Sequence, residues 1–458
     1  METPDRDLLI DFDRRYLWHP FTQMSEWMRD DPLIITEGRD CFLKDISGRW
    51  YLDGVSSLWV NLFGHRRKEI DEALKAQIDR ISHTTLLGLS SVPAIELAAR
   101  LISLTDASFS GLSPRLARVF FSDNGSTAVE VGLKMAFQYW RHRDRQQKQR
   151  FLCLNNAYHG DTLGAVSVGN VAIFHAAFGP LLFQTLTAPS PYCYRCELGL
   201  SPGSCGIACA HKAADIIRGH HEELAGFILE PLVQAAGGMI TAPPGYLRIV
   251  RDACAAHGVL LIADEVATGF GRTGRMFACE HEAVVPDILC LSKGITGGYL
   301  PLAATLCTDE IYSAFLGEFR DLKTFFHGHS YTGNPLGCAA ALACLGIFAQ
   351  DRVLESLQPK ISLLHGWLQE AANLPHVGDA RQCGLMAGVE LVRDKPGRVP
   401  YDWEEKIGWK AALAARSRGV IIRPLGNVVV IMPPLSISEE NLRQMLAVLF
   451  DSIAEATS

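Results

Sequence analysis

VLLIADEVATGFGRTGRMFACEHEAVVPDILCLSKGITGGYLP, residues 259–301, contains two short, continuously apolar runs that each end in charge. The first runs into the adjacent carboxylates Asp264 and Glu265, and the second passes through Ser292 to Lys293. Apolar runs of this length, bounded by turns, read as strands buried on both faces. A lysine at the end of such a strand either extends to water or does chemistry. If the first strand continues, Asp264 and Glu265 point to opposite faces, so one can meet a ligand while the other pairs elsewhere. A purely structural acid caging a loop is the competing reading. GFGRTG fits G-x-G-x-x-G, but a dinucleotide fingerprint follows its strand directly and opens a helix. Here two acids and Val266-Ala267-Thr268 intervene, and that reading is set aside.

The flanking chain repeats this pattern. Helical spacing covers 69–82, 94–105, 127–143 and 245–258, and apolar strands fall at 118–122, 150–155, 226–231, 287–292 and 302–308. Short apolar strands alternating with helices predict an α/β fold with a large, mostly parallel sheet covered on both faces. Such sheets bind ligands at the carboxyl ends of their strands. Before this region, roughly the first 60 residues read as turns and short strands. Beyond Asn334-Pro335, two helices and three strands predict a smaller α+β region on a separate sheet.

Composition narrows the classes of function. The 458 residues are 48% apolar and 20% charged, as in ordinary globular chains. A net charge of -7 without blocks of like charge argues against nucleic acid or an anionic membrane as partner. The N-terminal stretch METPDRDLLIDFDRRY lacks a signal-peptide core, and no apolar run reaches membrane-span length. Thirteen cysteines, mostly in apolar contexts, suggest a reduced, cytoplasmic protein.

Several strand ends carry chemistry. RVFFSDNGSTAVEVG passes from strand through a glycine turn into a helix, and the free N–H groups of Gly125 and Ser126 would suit an anion. Ordinary N-capping by Ser126 or Thr127 is the alternative. Tyr158 ends the strand at 150–155, where it would either stack on a flat ligand or cover the core rim. An anion cradle, a stacking aromatic, a buried acid and a lysine together fit a flat, phosphorylated heteroaromatic aldehyde. Lys293 would form a Schiff base with it and Asp264 would keep its ring nitrogen protonated. The cofactor expected is pyridoxal 5′-phosphate.

The stretch from LLIADEVATGFGRTG to DILCLSKGITGG resembles the signature of the class III pyridoxal-phosphate aminotransferases, with Asp264 and Lys293 at the family's spacing. The resemblance extends over essentially the whole chain. It implies the PLP-dependent transferase fold type I, with residues 66–334 as the large cofactor-binding domain and 1–65 plus 335–458 as a small domain built from both termini. It implies a homodimer with shared active sites acting on small-molecule substrates. Gly125, Ser126, Tyr158, Asp264, Lys293 and the partner-reaching Ser330 would bind the cofactor. Leu58, Tyr158, Gly328 and Arg423 would line the substrate site, Arg423 pairing with a carboxylate. YLWHPFTQM, SSLWVNLFGH and HGHSYTGNP look more narrowly like the branch of the family that aminates 8-amino-7-oxononanoate in biotin biosynthesis. Phe21, Leu58 and Val430 depart from that branch's adenosylmethionine-using pattern. The amino donor expected is S-adenosylmethionine, with lysine as the alternative. Another ω-amine activity of the family remains a competing reading.

A second feature stands apart. Cys193, Cys196, Cys205 and Cys209 follow C-x2-C-x8-C-x3-C on a Pro/Gly loop. Such spacing suits either a structural metal or simply reduced surface thiols. No residue is assigned as a metal ligand.

Overall fold

The computed structural model describes residues 5–458. The first four residues, which begin both the charged N-terminal stretch and the expected 1–65 unit, lie outside the described residues. Leu260–Asp264 and Ile288–Leu291 form neighbouring parallel strands with Asp264 beside Cys290. Every residue of Ile288–Leu291 is buried, because helices cover both faces of the sheet. Across the seven-stranded sheet the order is Leu116–Ser122, Ala303–Thr308, Ile288–Leu291, Leu260–Asp264, Leu224–Leu229, Arg150–Leu154 and Leu186–Ala188. Only Ala303–Thr308 runs against the others. The carboxyl ends of the parallel strands therefore open on one edge, where Asp264, Lys293 and the turn before Gly125 meet.

That turn owes its form to its first helical residues. Asn124 caps the helix Gly125–His142, accepting the Thr127 N–H at 3.0 Å, while Thr127 Oγ1 accepts the Asn124 N–H at 3.1 Å. The cap is thus Asn124, not Ser126 or Thr127, and Ser126 is left free for other work. The helix then lies hard on the sheet. A Cβ on Gly132 would stand 3.3 Å from both Cys290 Sγ and Ile288 Cγ2. Val129, Leu133 and Ala136 are buried on the same helix, and each large apolar side chain contributes about 1.5–3 kcal/mol by leaving water.

The remaining strands form two further four-stranded sheets, where one was expected, besides a short hairpin of Val233–Gln234 with Ile240–Thr241. In one sheet, Val420–Ile421 pairs in parallel with Trp50–Asp53, so the beginning and the end of the chain share a sheet. In the other, Met386–Asp394 is flanked by Val377–Cys383, Val399–Pro400 and Val428–Ile431, all antiparallel to it. Helix Pro335–Gln350 starts at the Asn334 cap with proline in its first turn. It lies against helices Lys68–Ile78 and Val92–Ser108, and its Cys344 Sγ reaches Gly294 O at 3.3 Å, directly behind Lys293. Its all-round apolar character is that of a packed core helix. Among the described residues no single helix is long and apolar enough to cross a membrane.

Candidate active site

A cavity of about 730 Å³ opens at the carboxyl ends of the parallel strands. Leu58, Gly125, Ser126, Tyr158, Asp264 and Lys293 all line it, so six of the residues singled out from sequence come together. Its size is that of a small-molecule site.

Asp264 and Glu265 have separated as the strand's pleat requires. Asp264 Oδ2 accepts from His159 Nδ1 at 2.6 Å and Oδ1 accepts the Val266 N–H at 3.0 Å. Because an ionised carboxylate only accepts, His159 carries its proton on Nδ1. Glu265 faces away, taking the N–H groups of Ala278 and Cys279 at 2.7 and 2.9 Å. Burial pushes its carboxyl up to about 7. It is the structural acid of the pair, tying down the loop that contains GFGRTG. No α-helix opens at that motif; a short 3-10 turn, Ala278–Glu282, follows it.

Lys293 opens a tight turn after its strand, at a φ of 45°. Its side chain is half-buried, and its Nζ lies 5.1 Å from the centre of the Trp59 ring. Burial draws the amine below the usual lysine range, while the nearby carboxylates of Asp264 and Glu230 oppose this. An amine so placed loses its proton more readily than a surface lysine.

At the helix start, close approach demands glycine. A Cβ on Gly125 would stand 2.6 Å from Val266 Cγ1. Gly160, at a φ of +119°, would place a Cβ 1.9 Å from Ser126 Oγ, which instead accepts the Asp161 N–H at 3.0 Å. Tyr158 is held from several sides. Its N–H donates to Glu230 at 3.1 Å, its hydroxyl to Asp161 at 2.7 Å, and its ring stacks on His175 at 6.2 Å and 12°. Burial beside Asp161 keeps the phenol protonated.

The donor set fits a phosphorylated pyridine aldehyde. It offers an amine, a carboxylate oriented from behind, an aromatic wall and helix-terminal N–H groups in one cavity. Among the described residues His159 Nε2 is buried without a hydrogen-bond partner, and the bond from Nδ1 to Asp264 fixes the imidazole.

Not every expected residue reaches this cavity. Gly328 and Ser330 are exposed, and Gly328 lines a separate cavity of about 290 Å³ with Leu86, Phe120 and His327. Arg423 is half-buried, its guanidinium 5.8 Å from the Trp409 ring centre. Burial lowers its proton affinity. Phe21 packs edge-on against Phe174 at 5.3 Å, and Phe174 in turn meets Tyr158 at 6.0 Å. Val430 is fully buried in one apolar cluster with Trp59, Met239 and Met432. The four thiols Cys193, Cys196, Cys205 and Cys209 line one small cavity. Among the described residues, no group of three or more His, Cys, Asp or Glu is arranged to hold a metal ion.

Sequence reasoning passed over three residues that line this cavity and one that supports it. His159 and Glu230 both sit just past strand ends, the positional signal that singled out Lys293. Trp59 ends a turn in which Ser56, Ser57, Leu58 and Trp59 all have positive φ, from 49° to 72°. Such a conformation costs roughly 1–2 kcal/mol per non-glycine residue, and nothing in the string SSLW announces it. Arg272 secures the segment: its Nη1 donates to Pro433 O at 2.6 Å and its Nη2 to Asn61 O at 3.1 Å. Arg272 is 1% exposed, and burial lowers its guanidinium to about 9.

Comparison with known proteins adds a family. The family model "Aminotransferase class-III" matches residues 24–453. The adenosylmethionine-8-amino-7-oxononanoate aminotransferase of Geobacter sulfurreducens is 55% identical over 99% of both chains. That of Methanocaldococcus jannaschii is 47% identical, again over 99% of both. The crystal structure of the M. jannaschii enzyme superposes with a TM-score of 0.92, covering 98% of this chain and 99% of that one at 46% identity. A PLP-bound amine transaminase from an uncultivated Pseudomonas species superposes at 0.91, with 37% identity, covering 96% of this chain and 99% of that one.

Proposed function

The chain belongs to the class-III aminotransferases, and on that premise we propose that it converts 8-amino-7-oxononanoate to 7,8-diaminononanoate in biotin biosynthesis, with S-adenosylmethionine as amino donor. The observation that carries the site assignment is the pairing of Leu260–Asp264 with Ile288–Leu291 in parallel. That pairing brings Asp264 and Lys293 to the same edge of the sheet and into the same cavity.

Pyridoxal 5′-phosphate, when bound, supplies an aldehyde carbon that takes up and gives back an amino group, and a ring that accepts an electron pair. In this reading Gly125 and Ser126 hold its phosphate at the helix N-terminus. Tyr158 covers a ring face. Asp264, fixed by His159 Nδ1–H and the Val266 N–H, holds a proton at the ring nitrogen. Lys293 would hold the aldehyde at rest. Once free, its Nζ would be the base that takes a proton from the substrate carbon and the acid that returns one two atoms along, across the intervening nitrogen. The depressed proton affinity of that amine suits the task. Leu58 and Trp59 shield the reacting atoms from water, and Arg423 meets a substrate carboxylate.

We also propose that the protein is a cytoplasmic homodimer divided at 65/66 and 334/335. Its Gly328 and Ser330 would serve the partner's site. Support comes from exposed apolar residues around that segment: Leu87, Phe326 and Tyr331 are 73%, 70% and 62% exposed.

Lysine is the second donor reading. Phe21, Leu58 and Val430 offer no hydroxyl or indole to grip a sulfonium donor, and Val430 is buried behind the cavity-lining Trp59, Ala235 and Ala267. A half-reaction separates the readings. PLP-loaded protein is mixed with S-adenosylmethionine or with lysine alone, and the cofactor absorbance is followed. Conversion to the amine form by S-adenosylmethionine is expected, and conversion by lysine only would reassign the donor. Conversion by neither, with amination of 8-amino-7-oxononanoate by another amine, would reassign the donor altogether.

A further inference from the structure

Glu230 is an acid in the cavity wall to which the chemistry above gives no task. It directly follows the strand Leu224–Leu229 and is 7% exposed. Its Oε1 accepts the Tyr158 N–H at 3.1 Å and its Oε2 accepts the Ala235 N–H at 2.9 Å. Tyr158 and Ala235 lie on different loops, and both line the cavity. One carboxylate thus staples two parts of the wall together. A neutral acceptor could take the same N–H groups at a smaller desolvation cost. An acid kept in so dry a place, where an amide would serve the same N–H groups, therefore points to a use for the acid. The titratable groups whose fields it shares are His159, Asp264, Tyr158 and Lys293.

We propose that Glu230 is a positioning residue with two effects: through the Tyr158 and Ala235 N–H groups it sets the Tyr158 ring against the bound cofactor, and from the same cavity wall its carboxylate acts on Lys293. This deepens the pyridoxal-phosphate reading and rests on it. Burial pushes Glu230 up to about 7, with Asp264 adding to the rise and His159 opposing it. Its charge, and with it the pull on Lys293, is present above that pH and fades below it.

The test uses the cofactor-loaded protein and the pH titration of the bound cofactor's absorbance band. Glu230→Gln keeps the shape and removes the charge; Glu230→Asp keeps the charge and draws it back from one N–H. The titration midpoint is expected to fall by about one unit in the Gln variant. In the Asp variant it should stay at the wild-type value, while cofactor dissociation speeds up by about threefold or more as the Tyr158 wall loosens. An unchanged midpoint in Glu230→Gln overturns the electrostatic effect, and wild-type dissociation in Glu230→Asp overturns the positioning effect. If the Gln variant does not fold, the Asp variant decides: a wild-type midpoint with faster dissociation supports the inference, and a fallen midpoint or unchanged dissociation overturns it. Failure of the underlying reading looks different, because wild-type protein would then show no cofactor band at all.

Discussion

Asp264 and Glu265 are chemically alike and adjacent, yet the pleat sends them to different work. Asp264 lines the cavity with His159 behind it, whereas Glu265 ties down the Ala278–Cys279 turn. Their substitutions should therefore fail differently. Asp264→Asn should still bind cofactor but slow turnover by about 10²–10⁴-fold, measured by steady-state kinetics beside the absorbance of bound cofactor. Lys293→Ala should remove the pH-dependent absorbance band and reduce turnover by at least about 10³-fold; wild-type turnover would refute the assignment. The depressed amine also sets a sign. Lys293 acts as a base only when neutral, so activity should rise with pH along a limb that lies below the ordinary lysine range. Residue type and position singled out these two side chains, because a charged residue at the end of an apolar strand is costly and rare, while their expected roles came from the combination of strand ends and from the resemblance. His159 and Glu230 were not singled out, since each depends on a partner brought in from another strand.

Helix Gly125–His142 shows how an element serves the site. Gly132 lets it sit close on Ile288 and Cys290, and Gly160 lets the neighbouring loop approach Ser126. Gly160→Ala would force a Cβ into Ser126 Oγ at a backbone angle that side chains avoid. We expect the cofactor dissociation constant to rise by about tenfold or more, with the melting temperature falling far less than in Gly132→Val, where overpacking against the sheet costs about 1–3 kcal/mol. Equilibrium dialysis and thermal melts distinguish the two. The helix and its glycine turn could be read directly from GSTAVEVG. The cap was misplaced, because Ser126 and Thr127, the residues read as caps, are as competent by type as Asn124, which the folded turn selects. The left-handed turn Ser56–Trp59 was invisible for a related reason. Its stability comes from outside, from Arg272 and from Ser56 Oγ donating to Met432 O at 2.6 Å.

At the scale of the molecule, the cavity of one chain lacks Gly328, Ser330 and Arg423 from its lining. If Ser330 serves the partner's site, a chain carrying Lys293→Ala and one carrying Ser330→Asp are each poor alone. Refolded together, they should recover about a quarter of wild-type activity, since half the dimers are mixed and each mixed dimer has one intact site. No recovery would place Ser330 elsewhere. By itself the sequence determined the large sheet, the edge where the cavity opens and the family, and it singled out Lys293 and Asp264 as charged residues at that edge. Local apolar periodicity and strand-end charge are properties of short stretches, and they survive without knowledge of the rest. Only the tertiary structure decided which strands join the two ends, Trp50–Asp53 beside Val420–Ile421, and that the C-terminal region divides into a further sheet. It alone brought His159 to Asp264 and Glu230 to Tyr158. Those are contacts between residues 105 and 72 positions apart, made by strand pairing and burial that no local pattern encodes.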